Sequence, residues 1–305
     1  MKKVEILAAL SLSLILLTSG CVDGMGFGGL FGGFSEEKEA PKDVLVIENL
    51  KTIPGQPVSA GSQFTVSFSV RNIDEHEEAK NVRAYVYDWG RCSPAGANKP
   101  GNPKQIGSIY PGSTEIVEWT FQAPENENLG NMEGKCPISF VIKYDFNAYT
   151  RADMVVVSKQ KLREASRSGQ SISASPSIVK SRGPIKLDLE FATPQPFTSQ
   201  TTVPFTLRVT DKGSGSIPNI RTSELQIYGG TGLGNPNNCK FPTSNLDGTD
   251  VIQILDGKKT PPIHCTIGAP NVQEMRTFTL KADLAYTYPI HKTVDVNIRP
   301  TYTSN

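Results

Sequence analysis

Few residues in this chain have chemistry to offer. Gly24, Gly26 and Gly29 in GMGFGG match the G-x-G-x-x-G spacing that lets backbone amides approach a pyrophosphate. That chemistry needs a strand before the glycines and a helix after them. Here an apolar run precedes and a charged stretch follows, so the match is rejected. A second glycine cluster, GGTGLGNPNN (229–238), has no Lys-Ser/Thr end, and it has no carboxylates for calcium. The histidines, His76, His264 and His291, are scattered. His76 falls in DEHEE (74–78), which reads as a solvated strand connection. The five cysteines show no C-x-x-C spacing, so a zinc centre is not expected. No G-x-S-x-G, H-E-x-x-H or Cys/His pattern appears either. Paired carboxylates for glycoside hydrolysis need only be close in space, so a hydrolase stays as the third and least favoured reading. Catalytic, cofactor-binding and metal residues are therefore left unassigned, and no cofactor is expected.

The cysteines sort by position. Lys2 and Lys3 precede an almost wholly apolar run, Ile6 to Leu17, which is shorter than the ~20 residues of a membrane span. Charge, a short apolar core and then small residues make an export signal. Thr18-Ser19-Gly20-Cys21 resembles the lipobox of prokaryotic lipoproteins, with Leu17 one place earlier than the usual leucine. The resemblance implies that residues 1–20 are a signal peptide, cleaved before Cys21, and that lipid is attached to the Cys21 sulfur. Residues 21–43 then form a collar and a charged tether. Phe27, Leu30, Phe31 and Phe34 stand at i, i+3, i+4 and i+7, one face if a helix forms. A single acyl chain holds a membrane only marginally, so a second apolar contact there would strengthen the anchor. A plain flexible linker is the alternative.

Four cysteines remain: Cys92, Cys136, Cys239 and Cys265. An even remainder in an exported chain suggests disulfides, with three possible connectivities. Cys92–Cys136 with Cys239–Cys265 is preferred, because each bridge stays in one half. The 305 residues carry a formal net charge of +1, so no global field points to nucleic acid or to an acidic substrate.

Stretches of period two, separated by turn clusters, read as half-buried antiparallel strands. Phe64, Val66, Phe68 and Val70 share one face, as do Val117, Trp119 and Phe121, and Ile138, Phe140, Ile142 and Tyr144. The plan repeats in the second half. FTVSFSVRN (64–72) parallels VPFTLRVTD (203–211), and the segment 138–157 parallels 278–298. With Val82, Ala84 and Val86 inward, Tyr85, Tyr87 and Trp89 would face outward as a candidate ligand surface able to stack on sugars or pack on protein. The expected fold is all-β: two tandem antiparallel β-sandwiches over 44–158 and 185–300, joined by a Ser-rich basic linker (159–184) and followed by a tail (301–305). The linker's charges are spread and lack interleaved aromatics, so they read as solvated.

AGSQFTVSFSVRNIDEHEEAKNVRAYVYD (60–88), IGSIYPGSTEIVEWTFQAP (106–124) and ISFVIKYDF (138–146) resemble the immunoglobulin-like domains of prokaryotic surface proteins, of the CARDB and archaeal S-layer-associated type. The second half fits less well, with Asp211 in place of Asn72 and no Trp-x-Phe-x-Ala-Pro element. The resemblance implies that the two sandwiches are immunoglobulin-like and form a surface module, and it names no ligand. The expectation is a non-catalytic, lipid-anchored envelope protein outside the cytoplasmic membrane, serving adhesion or surface assembly. Its partners would be the membrane and a protein or envelope polymer, with no nucleic acid and no small-molecule substrate. The alternative is a binding or accessory subunit of a transport, secretion or degradative complex.

Overall fold

The computed structural model describes residues 43–95, 103–130, 132–216, 219–246 and 249–301. The export segment, Cys21, Phe27, Leu30, Phe31 and Phe34 lie outside the described residues. The protein is mostly β, with 59 % strand and 7 % helix in several antiparallel sheets, one of them curled into a half-barrel. The first half runs β1 (Leu45–Ile53), β2 (Val58–Ser59), β3 (Gln63–Asn72), β4 (Ala79–Asp88), β5 (Ser93–Pro94), β6 (Lys104–Ile109), β7 (Thr114–Gln122), a short helix α1 (Asn126–Leu129) and β8 (Gly134–Val157). After α2 (Lys159–Ser168) come β9 (Ile178–Lys180), β10 (Ile185–Phe191), β11 (Phe197–Thr198), β12 (Thr202–Asp211), β13 (Ile220–Arg221) and β14 (Leu225–Gly229). The chain then makes β15 (Asn237–Lys240), β16 (Thr243–Leu246), β17 (Thr249–Ile252), β18 (Ile263–Gly268) and β19 (Met275–Arg299).

Sequence periodicity breaks 137–158 and 277–299 into two strands each. Each is instead one strand, of 24 residues in β8 and 25 in β19. In the apparent gap in β8 the inward residues Ala148, Thr150 and Ala152 are small, and the alternation is intact. Ala148 and Ala152 are buried opposite Leu284 and Leu280, so a small side chain on one strand makes room for a large one on the other. Pro289 suggests a break in β19. It lies where β19 has left β14 and has not yet met β2, on a sheet edge that tolerates proline.

These two strands pair antiparallel along their whole length, from Met275↔Val157 to Ile298↔Gly134. Around them forms a sheet of order β14-β19-β8-β4-β6, fringed by β2, β9 and β11. The first part of β8 pairs with β4, and the last part of β19 pairs with β2. The first part of β19 pairs with β14, and the last part of β8 pairs with β11 and β9. Each long strand thus begins in its own half and ends in the other.

Two four-stranded sheets, β1-β3-β7-β5 and β10-β12-β18-β15, form the remaining layers, with β13-β17-β16 as a small third sheet. Phe68 of β3 stacks on Phe140 of β8 at 4.5 Å, and Trp119 of β7 approaches the same ring at 5.5 Å. The buried apolar side chains of both halves make one continuous core.

The internal repeat extends further than sequence comparison suggests. Leu45↔Asn72 and Ile185↔Asp211 are equivalent pairs at the start of each half. Val66↔Trp119 corresponds to Phe205↔Cys265, so Cys265-Thr-Ile267-Gly-Ala269-Pro270 fills the place of the Trp-x-Phe-x-Ala-Pro element. Ala123 and Ala269 donate equivalent backbone bonds, to Ser62 and Thr201. A Gln-Pro pair also repeats. The Gln56 side chain bonds the backbone of Asp295 and Asn297 on β19, and the Gln195 side chain bonds that of Asp153 and Val155 on β8. Each amide extends the ladder beside the strand that arrives from the other half.

Residues 159–184 hold a helix and an edge strand as well as connecting chain. Ser158 caps α2 by accepting from the Lys161 N–H (3.1 Å), and Gly169 ends it at φ 69°. Lys161, Lys180 and Arg182 form ion pairs with Glu274, Asp188 and Glu75.

The disulfides are Cys92–Cys136 and Cys239–Cys265. They are not equivalent in the repeat. The first ties the turn after β4 to the start of β8, and the second joins the neighbouring strands β15 and β18. They close loops of 44 and 26 residues, worth about 4 and 3.5 kcal/mol in the chain-entropy model. Changing Cys239 and Cys265 together to Ser should therefore lower the urea-unfolding free energy by about 3 kcal/mol. A loss below 1 kcal/mol would show that β15 gains little from the bridge. Two disulfides suggest an extracytoplasmic protein.

Candidate functional site

The outward-facing side chains of the large sheet bring tyrosines, cations and carboxylates together on one face. Val82 and Ala84 point into the core, and Tyr85 and Tyr87 point out, as the alternation of β4 predicts. Trp89 does not join them. Val86 pairs with Phe140 but Asp88 pairs with Ser139, so β4 holds one extra residue there. This bulge reverses the alternation, and Trp89 packs against the core.

Partners from the long strands replace Trp89 on this face. The Lys143 ammonium lies 5.4 Å from the Tyr85 ring centre, and His291 meets the Tyr87 ring edge-on at 5.9 Å. Tyr87 is 53 % exposed, while Tyr85 is half-buried. Tyr85, Val141 and His291 are lateral neighbours across β4, β8 and β19.

Further along the same face the arrangement recurs. Tyr228, Lys281 and Arg151 are lateral neighbours across β14, β19 and β8. The Lys281 ammonium lies 5.8 Å from the Tyr228 ring, and the Arg151 guanidinium 5.2 Å from the Tyr149 ring. Such ring–cation contacts are worth about 0.5–1 kcal/mol at exposed sites.

Three carboxylates of this face are hydrogen-bonded, while Asp295 of β19 is exposed there without a side-chain partner among the described residues. Asp145 accepts from Asn81 at 2.8 Å and Thr287 at 2.6 Å, with Arg83 3.8 Å away. Asp153 accepts from the Ser177 hydroxyl (2.6 Å). Asp283 accepts from the Tyr228 hydroxyl, and that bond raises the tyrosine's pKa. Lys143, Arg151 and Lys281 have no carboxylate within salt-bridge distance among the described residues.

Periodicity found Tyr85 and Tyr87 and missed their partners. Lys143, Tyr149 and Arg151 alternate along β8, but its pairing with β19, which brings His291 and Lys281 beside them, leaves no local mark.

The other candidates stay apart. Asp74 of DEHEE is buried and accepts from the His76 and Glu77 backbone N–H groups, each at 2.8 Å, which makes a turn. His264 lies in a groove of about 770 Å³ beside the Cys239–Cys265 bridge, lined also by Pro204 and Lys240. No cluster of three or more His, Cys, Asp or Glu suited to a metal exists among the described residues.

Where the two halves meet, a polar cluster lies inside. Asp211 is buried and accepts from the Tyr288 hydroxyl (2.9 Å), the Gly213 N–H (2.8 Å) and the Lys258 ammonium (3.2 Å). Lys258 also holds the Gly213 and Gly215 carbonyls. Neither glycine has room for a Cβ, because Tyr288 and Pro289 press on them. With both carboxylate oxygens of Asp211 engaged from inside, the cluster clamps a loop and offers no open site.

Compared against models of known protein families and against curated proteins, the chain matches none.

Proposed function

We propose that this protein is a non-catalytic, lipid-anchored component of the cell envelope. In this reading it presents two immunoglobulin-like β-sandwiches, of the surface-protein type that the first half resembles, for adhesion or surface assembly. The observation that carries the reading is the uninterrupted β8–β19 ladder. It joins both halves into one surface bearing exposed Tyr87 and its neighbours, which suits a rigid presenting scaffold better than a hinged clamp around a substrate. The disulfides and the lipobox-like Thr18-Ser19-Gly20-Cys21 support a position outside the cytoplasmic membrane. Membrane fractionation of a Cys21→Ser variant tests the anchor. The variant should leave the membrane pellet and appear in the soluble extracytoplasmic fraction. Sedimentation equal to the unaltered protein would sink the lipid-anchor reading.

A further inference from the structure

We propose that the outer face of the large sheet binds an anionic polysaccharide, which spans two ring–cation patches on the same protein. The inference rests on the reading of this face as a presenting surface and names the class of partner. One patch is Tyr85, Tyr87, Lys143 and His291, and the other is Tyr149, Arg151, Tyr228 and Lys281.

Three observations select the partner. First, three cations of this face stand open to a ligand, whereas three of its carboxylates, though still charged, have acceptor positions filled by neighbours. Asp145, Asp153 and Asp283 are engaged by neighbouring hydroxyl, amide and guanidinium groups, whereas Lys143, Arg151 and Lys281 lack ion partners among the described residues. Second, each cation lies beside a ring. A sugar ring can lie on the aromatic face while its carboxylate or sulfate takes the ammonium or guanidinium. A protein partner would need an apolar centre. Exposed aliphatic side chains lie on β1 and β7 of another sheet, as Ile53 and Ile116 do, or on the fringe of this one, where Ile178 and Val179 stand on the edge strand β9 and Met275 starts β19. Third, the motif occurs twice. Lys143 and Arg151 point the same way on β8, roughly 27 Å apart at ~3.4 Å per residue. A polymer long enough to reach both gains the effective concentration of a tethered second contact.

The test uses the full-length protein in detergent micelles over immobilised polygalacturonate, dextran sulfate, neutral dextran, phosphatidylglycerol nanodiscs and single-stranded DNA. Retention is expected on at least one of the two anionic polysaccharides, falling as salt screens the cations. Neutral dextran, nanodiscs and DNA should retain little. Two double variants, Tyr87→Ala with Lys143→Ala and Arg151→Ala with Lys281→Ala, remove one patch each. Each should weaken polymer binding on the order of 100-fold, with unchanged melting temperature. The inference is overturned by retention on neither anionic polysaccharide, by equal or better retention on dextran, nanodiscs or DNA, or by unchanged affinity in both variants. Each of these results leaves the Cys21→Ser fractionation, and so the envelope reading, to stand or fall on its own.

Discussion

Cut after residue 158 and expressed separately, neither half of this chain should fold. In the first half, β8 would keep β4 but lose all of β19. Ile290, Val296 and Ile298 of β19 are buried. Each contributes about 2 kcal/mol on burial, or about 6 kcal/mol together, within the 5–15 kcal/mol that holds a typical domain. The far end of β8 would also become a long unpaired edge carrying Met154 and Val156. The second half suffers the reciprocal loss, because the Leu280 and Leu284 stretch of β19 faces Ala152 and Ala148 of β8. Each half alone should give a collapsed amide spectrum and no cooperative melt, while the intact protein melts in one transition. A dispersed spectrum from either half would refute the interdependence.

That prediction rests on the part of the fold least legible in the sequence. Strand positions follow from alternation, because one face of each strand is buried: Phe64, Val66, Phe68 and Val70 are all in the core. Pairing across the halves does not, because a strand's period says which face is buried and nothing about which strand lies beside it. The alignment of 138–157 with 278–298 nevertheless contains the answer in symmetric form. Two equivalent strands that pair antiparallel with each other must exchange their ends, and Tyr144↔Tyr288 and Phe146↔Tyr286 mark the crossing point. The repeat of Gln56-Pro57 at Gln195-Pro196 was also open to reading. Trp89 shows the opposite limit. A one-residue bulge, set by cross-strand pairing, reverses every later side chain. In the candidate site, the tyrosines of β4 were legible as outward-facing rings. Their cationic neighbours belong to two strands that meet only in the folded chain.

Raising the pH above 10 should unfold the protein steeply, and three tyrosines at the crossing point set the slope. Tyr144, Tyr286 and Tyr288 are buried where the halves meet, with Tyr144 and Tyr288 rings 5.8 Å apart and Tyr286 and Tyr288 6.2 Å apart. Burial raises all three pKa values far above the usual tyrosine value, and for Tyr288 the bond to Asp211 adds to the shift. In the unfolded chain they ionise near pH 10. Above that pH the unfolded state has released protons that the folded state retains. The stabilisation is complete below pH 10 and is lost as the pH rises toward the folded values. Each tyrosine removes about 1.4 kcal/mol per pH unit, or about 4 kcal/mol per unit for the three. Phenylalanine variants separate the contributions. The Tyr144 and Tyr286 hydroxyls lie near the Val44 and Ile185 backbone but make no hydrogen bond of normal geometry among the described residues. Tyr144→Phe and Tyr286→Phe should each add about 1 kcal/mol at pH 8 by removing an unsatisfied polar group, and each should flatten the alkaline slope by about a third. Tyr288→Phe should cost about 1–3 kcal/mol, because Asp211 loses a donor and the Gly215 N–H its acceptor. Urea midpoints between pH 8 and 11.5, followed with tyrosinate absorbance, measure both effects. An unchanged slope in Tyr144→Phe, or equal destabilisation by Tyr144→Phe and Tyr288→Phe, would show that these hydroxyls are not held as the geometry indicates.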